Sequence, residues 1–399
     1  MNICAVAFFR PDTASSGIEV TLWKLSTTFA RQGCRAHIVF NCATSPDSMG
    51  DQIVGKVRLH GVGPKRSLPV VGQLAFELAA VRKLRELGES EDIDVYSFHG
   101  PLVLGTLLLS KKLLFKRPIV YHTYAALPFE AKTYLLKSFK PIPYFLRKLK
   151  MYASHMMYEF LAIRCVDQVI VASLATVEEF KKYYRCPEGK ISVVPLGQDL
   201  FDRYGQILAR EKSEWPTCDE KRLLFVGNDW HRKGVKHLFL AFKEVIKKVP
   251  NTTLTMTGPH QKTFALLAEK LNLEDHIFYA GNIGEETLAR FYAECDVFVL
   301  PSFHEGFSNT LIEAMSFGKP VVTTPIAGYP VVEDKREGFL VKPGDQRSLA
   351  VSIVKLLRNR NLLEQMGKNA KERAGIFTWT SSAKKALEIY DTLTAKKRI

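Results

Sequence analysis

The stretch that constrains this chain most runs from Asp296 to Asp334. DVFVL is an unbroken apolar segment of strand length and reads as a strand buried on both faces. It runs into a short loop, PSFHEGFS, and the loop opens an amphipathic helix, NTLIEAMSFG. A second apolar strand, PVVTT, follows, and then a turn with Gly328 and Pro330. Strand, loop, helix and strand make one unit of a parallel sheet, and ligands of open sheets sit at the carboxyl ends of their strands. Two carboxylates flank that end here, Glu305 in the loop and Glu313 in the helix. Between them Gly306 lets the backbone approach a ligand. Ser308, Asn309 and Thr310 bring the amides of a helix start, and unpaired helix-start amides favour an anion. Such a set suits a ligand that is part diol and part phosphate, as a nucleotide sugar is.

The rest of the chain repeats this βα rhythm. NICAVAFF, RAHIVFNC, DVYSFH, PIVYHTY, DQVIVAS and KISVVPLG read as strands of a first half, with helical patterns between them. The polar stretch Gln198–Lys221 reads as a linker with an irregular segment. RLLFVGND then restarts the pattern, and TTLTMTG, IFYAG, DVFVL, PVVTT and GFLV follow. The expectation is an α/β protein of two Rossmann-like domains, residues 1–195 and 196–380, each with its own parallel sheet. The last amphipathic segment, about 380–399, can pack on either half.

With 399 residues and 46% apolar content the chain is long enough for two cores. A formal charge of +15 points to nucleic acid, an anionic membrane surface or an anionic substrate. The excess concentrates in residues 111–150, where ten Lys and Arg face one acid, Glu130. Within it KTYLLKSFKPIPYFLRKLK (132–150) interleaves cations with Tyr, Phe and Leu, which suits a membrane surface. The bland alternative is a helix with a solvated basic face. No nucleic-acid motif accompanies it, so nucleic acid is not expected as a partner. Seven scattered cysteines without C-x-x-C argue against a disulfide framework or zinc site. The start MNICAVAFFRPD reads as a first strand rather than a signal peptide. No apolar run reaches the roughly 20 residues of a spanning helix. A cytoplasmic protein, peripheral on the inner face of the membrane, is expected.

Other clusters could carry chemistry. VGNDWHRKG follows a strand and precedes a helix, placing Arg232 and Lys233 at a helix entrance where dipole and charge favour an anion. Alone it could be a solvated basic turn; beside the Glu305–Glu313 unit that becomes the weaker reading. Gly17, in the first strand–helix loop, can admit a phosphate, but without the full G-x-G-x-x-G a dinucleotide cofactor is not supported. His99 and His122 each end a buried strand, which would point both toward a crevice between the domains. A lone histidine is more often structural, yet two at equivalent strand ends deserve a functional reading. Phosphate-loop and nucleophile-elbow motifs are absent. Asp92-Ile93-Asp94 precedes a strand, the wrong end of a sheet for chemistry, and reads as a loop.

On EGFSNTLIEAM, GKPVV, AGYP, HRKG and VPLGQD, the chain resembles the retaining glycosyltransferases of family 4, whose GT-B fold has two Rossmann-like domains facing across a cleft. Within that family VGNDWHRKGV, TGPHQKTFALLAEKL and TTPIAGY look most like the glucosyltransferases that add glucose to the heptose of the bacterial lipopolysaccharide core. The resemblance implies that Arg232 and Lys233 hold the donor diphosphate, and that Glu305 meets the donor sugar. Gly306, Phe307 and Ser308 would meet sugar and phosphate, with Asn309 and Thr310 beside them, and Glu313 would take the ribose hydroxyls. It implies Gly17 near the diphosphate, His122 beside the reaction centre and His99 near the acceptor. Asn228 stands where many members have Arg, and Ser16-Gly17 and Ala327-Gly328 replace two Gly-Gly pairs. The implied activity is metal-independent hexosyl transfer, without a cofactor, from a nucleotide sugar, UDP-glucose by best likeness, to a glycan or glycolipid acceptor. A disaccharide phosphorylase of the same fold and a non-catalytic, membrane-bound nucleotide-sugar scaffold are the alternatives.

Overall fold

The computed structural model describes residues 1–13, 17–44, 49–64, 69–114, 116–124, 142–208, 220–328 and 330–398. The side chains of 142–152 are also outside the described set, so the basic segment 132–150 lies outside the described residues except for its helical backbone from Ile142.

The chain divides into two compact units, Met1–Leu196 with Trp379–Ile399, and Gly197–Thr378. The first is built on β1 (Asn2–Val6), β2 (Arg35–Asn41), β3 (Gly50–Val54), β4 (Val57–Val62), β5 (Val95–His99), β6 (Ile119–Thr123), β7 (Gln168–Val171) and β8 (Ile191–Val193). They form one sheet in the order β3-β4-β2-β1-β5-β6-β7-β8, parallel except for the β3–β4 hairpin at its edge. The second unit is built on β9 (Lys221–Phe225), β10 (Thr252–Thr257), β11 (Ile277–Gly281), β12 (Val297–Leu300), β13 (Val321–Thr323) and β14 (Gly338–Leu340). Their order is β11-β10-β9-β12-β13-β14, all parallel.

Central strands are covered on both faces, which is why they read as continuous apolar runs. Every residue of β5, β6, β7, β12 and β13 is buried. Phe76, Phe98 and Phe180 fill the first core, and Phe239, Phe242 and Phe298 the second.

Two features depart from the sequence expectation. The hairpin β3–β4 was not anticipated: β3 is a mostly exposed edge strand, GDQIV, with no apolar alternation to mark it. Its two-residue connection, Gly55-Lys56, has Gly55 at φ 62, as a tight hairpin requires. The stretch expected to be irregular also contains a helix, Leu200–Leu208. The last segment is the helix Trp379–Arg398, and it belongs to the first unit, where Ser382 Oγ donates to the Pro195 carbonyl at 2.6 Å.

Candidate active site

In the second unit β9 lies between β10 and β12, so successive connections leave it in opposite directions. That makes the carboxyl ends of β9 and β12 a topological switch point, the place where a parallel sheet opens a crevice. The loops rising there are Val226–Gly234 and Pro301–Ser308, the two stretches singled out in the sequence. Pairing of Val297 with Leu223 and Phe298 with Leu224 sets them side by side. Gly234 closes the approach: its φ is 76, and a Cβ there would stand 2.2 Å from the Pro301 carbonyl oxygen. Phe303 N donates to the Arg232 carbonyl at 2.9 Å, stitching loop to loop.

At the junction three charged side chains meet. Lys233 Nζ lies 2.9 Å from Glu305 Oε1, and Arg232 Nη1 lies 3.0 Å from Glu305 Oε2. Ser302 Oγ donates to Glu305 Oε1 at 3.0 Å, and Arg232 Nη1 donates to the His304 carbonyl at 2.6 Å. Lys233 and Glu305 are both buried, at 8% exposure. Burial would raise the Glu305 carboxyl, but the Lys233 ammonium and Arg232 guanidinium outweigh it and hold the group at about 2. Glu305 is therefore a fixed anion between two cations, and the three together carry one net positive charge. Asp229, more exposed, steadies Arg232 through a 3.6 Å contact and by accepting from its backbone N at 3.1 Å. The sequence reading gave the cations to phosphate and Glu305 to sugar as separate duties; the structure joins them in one cluster.

The helix Asn309–Ser316 opens beside this cluster. Ser308 stands at its N-cap, but its side chain makes no capping bond. First-turn amides without a side-chain cap remain available to a ligand. The Asn309 side-chain oxygen is buried without a partner among the described residues. Thr310 is half-buried, and its hydroxyl lies 3.4 Å from Ser308 Oγ. Gly306 and Phe307 are half-buried in the loop, with the Phe307 ring 6.1 Å from that of Phe377. Asn228 is exposed, and its carbonyl accepts from Gln261 Nε2 at 2.9 Å. Glu313, in the second turn of the helix, accepts from the Tyr292 hydroxyl at 3.0 Å. Burial chiefly, with Glu285 and Asp199 adding to it, pushes its carboxyl up to about 7 against the Tyr292 bond and Arg203. The two carboxylates of the motif are thus shifted in opposite directions.

Sequence reasoning missed three residues here. Trp230 is buried, and its indole donates to the Gly227 carbonyl at 2.8 Å, fixing the first loop. Ser302 orients Glu305, and Tyr292 reaches Glu313 from another helix. A tryptophan in a polar turn was the one signal available.

In the first unit Gly17 begins the helix Gly17–Arg31, and a Cβ there would meet nothing within 4 Å. Among the described residues the space above it is open, as a close backbone approach requires. The two strand-end histidines are not directed outward. His99 and His122 stack on each other at 4.3 Å, and both are buried. His122 Nε2 pairs with the Tyr390 hydroxyl at 2.7 Å, and His99 contacts Ser97 Oγ and the Tyr124 hydroxyl at 3.2 and 3.3 Å. Burial holds both rings well below the ordinary imidazole range, so both are neutral at pH 7. Parallel pairing of β5 with β6 puts His99 opposite His122, which is what turns the rings on each other. Among the described residues no group of His, Cys, Asp and Glu has the arrangement of a metal site.

Two Rossmann-like units, one with paired cations and an uncapped helix start at its switch point, define a chain of the GT-B glycosyltransferase class. Its family is shown by two matches that adjoin: Glycosyltransferase Family 4 over residues 15–200 and Glycosyl transferases group 1 over 208–373. The chain belongs to that group. A D-inositol 3-phosphate glycosyltransferase of Segniliparus rotundus is 28% identical over 405 residues, covering 96% of this chain and 86% of that one. The chain spans 62% and 56% of the length of the first two curated relatives it matches. Among solved structures, sucrose-phosphate synthase from Thermosynechococcus elongatus aligns over 99% of both chains with a TM-score of 0.78 at 21% identity. WaaG, a glycosyltransferase involved in lipopolysaccharide biosynthesis, aligns over 97% of this chain and 99% of its own with a TM-score of 0.67 at 19% identity. At such identities these likenesses speak for the fold alone.

Proposed function

We propose that the protein transfers a hexose, glucose by the sequence likeness, from a nucleotide sugar, a UDP-sugar by the same likeness, to a lipid-linked or lipopolysaccharide-type glycan, with retention of anomeric configuration. The observation that carries this reading is the buried Lys233–Glu305–Arg232 cluster beside an uncapped helix start. Breaking a sugar–diphosphate bond passes through an oxocarbenium-like state while negative charge grows on the departing phosphate. Cations and amides fixed in advance stabilise that charge without reorganising, which is the most effective electrostatic aid a site can give. Glu305 holds both cations in place and presents a carboxylate to the sugar. Arg232 and Lys233 supply the positive charge toward the diphosphate, so the reaction needs no metal on this reading. Glu313 takes the ribose. In the first unit the neutral His99 and His122, buried and bonded to Ser97, Tyr124 and Tyr390, support the strand ends of the acceptor side from within rather than touch the acceptor. Same-face attack, with the departing phosphate taking the acceptor proton, requires no carboxylate base there.

The protein works at the cytoplasmic face of a membrane, held through the basic residues 111–150 and without nucleic acid. Among the described residues no helix is long and apolar enough to cross a membrane. The test is incubation with UDP-, GDP- and ADP-hexoses in the presence of EDTA, reading release of the nucleoside diphosphate. Slow donor hydrolysis with one of them is expected. Absence of both turnover and binding with every donor overturns the reading.

A further inference from the structure

This inference deepens the donor-site reading above and rests on it. Tyr292 lies in the helix Glu285–Glu294, outside the motif that drew attention to the site. It is fully buried, its ring stacked on Phe317 at 5.8 Å and tilted against Phe298 at the same distance. A ring so packed has one place to put its hydroxyl, and that hydroxyl donates to Glu313 Oε2 at 3.0 Å. Glu313 is half-buried, and its other oxygen has no partner among the described residues. A glutamate carboxylate swings on three bonds, so one fixed oxygen decides where the other points.

We propose that Tyr292 is the positioning residue of the ribose subsite, pinning Glu313 Oε2 so that Oε1 accepts from a ribose hydroxyl and the site selects ribonucleoside over deoxyribonucleoside diphosphates. Tyr292 touches no substrate; it acts through Glu313. The surroundings support the role. Burial raises the Glu313 carboxyl, Glu285 and Asp199 add repulsion, and Tyr292 with Arg203 favours the charged form. A ribose bonded to the carboxylate favours that form too. Binding therefore releases a proton, and affinity rises with pH through about 7 before levelling.

The experiment is calorimetric titration from pH 6 to 9 with UDP, GDP and ADP, then with the 2′- and 3′-deoxy analogues of whichever binds most tightly. Wild type is expected to prefer the ribonucleotide. Tyr292→Phe keeps the ring packing and removes the hydroxyl. It is expected to weaken the ribonucleotide about 5- to 10-fold, the usual effect of one hydrogen bond, and to shrink the ribo/deoxy ratio. Its pH midpoint moves upward. Fluorotyrosine at position 292, a stronger donor of the same shape, moves the midpoint down and stands in should the Phe variant not fold. An unchanged ratio and midpoint in both variants leave Tyr292 a packing residue and overturn the proposal while the donor site stands. If wild type binds none of the three diphosphates, the donor-site reading fails and takes the proposal with it.

Discussion

At the scale of single residues, the site is set by which charges are already paired. Lys233 does two things at once: it holds Glu305 as an anion, and it adds a cation at the helix entrance. Lys233→Ala removes both. Glu305 is then buried with Arg232 as its one paired cation and Ser302 as its other donor, a loss that costs about 1–3 kcal/mol of stability. Turnover of the donor is expected to fall about 100-fold or more, as when a fixed electrostatic group is lost. A near wild-type rate in a well-folded variant would remove Lys233 from the chemistry. Single residues were also where the sequence was most legible and then gave out. Glu305, Glu313, Arg232 and Lys233 stand in short linear motifs, so their presence at strand ends could be read directly. That Glu305 pairs with both Arg232 and Lys233 could not, because the Lys233 contact spans 72 positions. His99 and His122 were placed correctly on strand ends, yet their stacking depends on which strands pair, and sequence order does not state that.

At the scale of elements, the site depends on how closely two loops approach. Gly234 sits where the backbone turns left-handed and where any Cβ would strike the Pro301 carbonyl. Gly234→Ala therefore meets a steric clash as well as an unfavourable φ, and about 2 kcal/mol or more of destabilisation is expected. Relief of the clash would part the loops and lengthen the reach from Lys233 to Glu305. Thermal unfolding and donor turnover should both suffer, turnover still at temperatures where the variant is folded. A variant as stable and active as wild type would show that the close approach is not required. The strands around these loops were legible because burial on both faces leaves an unmistakable apolar run. The β3–β4 hairpin and the helix Leu200–Leu208 were not. The first is a polar edge strand, and the second lies in a stretch dominated by charge; it is held by Arg203 pairing with Asp199 and Glu285 and by Phe201 lying 5.1 Å from Phe317.

At the scale of the whole molecule, the chain leaves its first unit at Leu196 and returns to it at Trp379. An amphipathic pattern announces the last helix but not its address; Tyr390, bonded to His122 and near Phe29, supplies it. Charge is the other molecular property, and it carries a prediction of its own. The net +15 is concentrated in residues 111–150. In the described part of that region Lys111 and Lys112 are exposed at the end of the helix Leu104–Leu114, on which Leu109 is also half exposed. The helix Ile142–Cys165 packs against it and exposes Met157, Tyr158, Phe160 and Leu161. Cations beside exposed apolar side chains suit an anionic bilayer, where each cation contributes roughly 1 kcal/mol. Sedimentation with vesicles rich in anionic lipid is therefore expected at low salt, and with neutral vesicles it should be weak. Raising salt to about 1 M shortens the screening length to roughly 3 Å and should release most of the protein. Glutamine at Lys111, Lys112, Lys116 and Arg117 should weaken binding without touching donor hydrolysis, since none of them belongs to the unit that carries Arg232, Lys233 and Glu305. Equal partitioning to both vesicle types, indifferent to salt, would overturn the electrostatic account and leave the apolar side chains to explain the association.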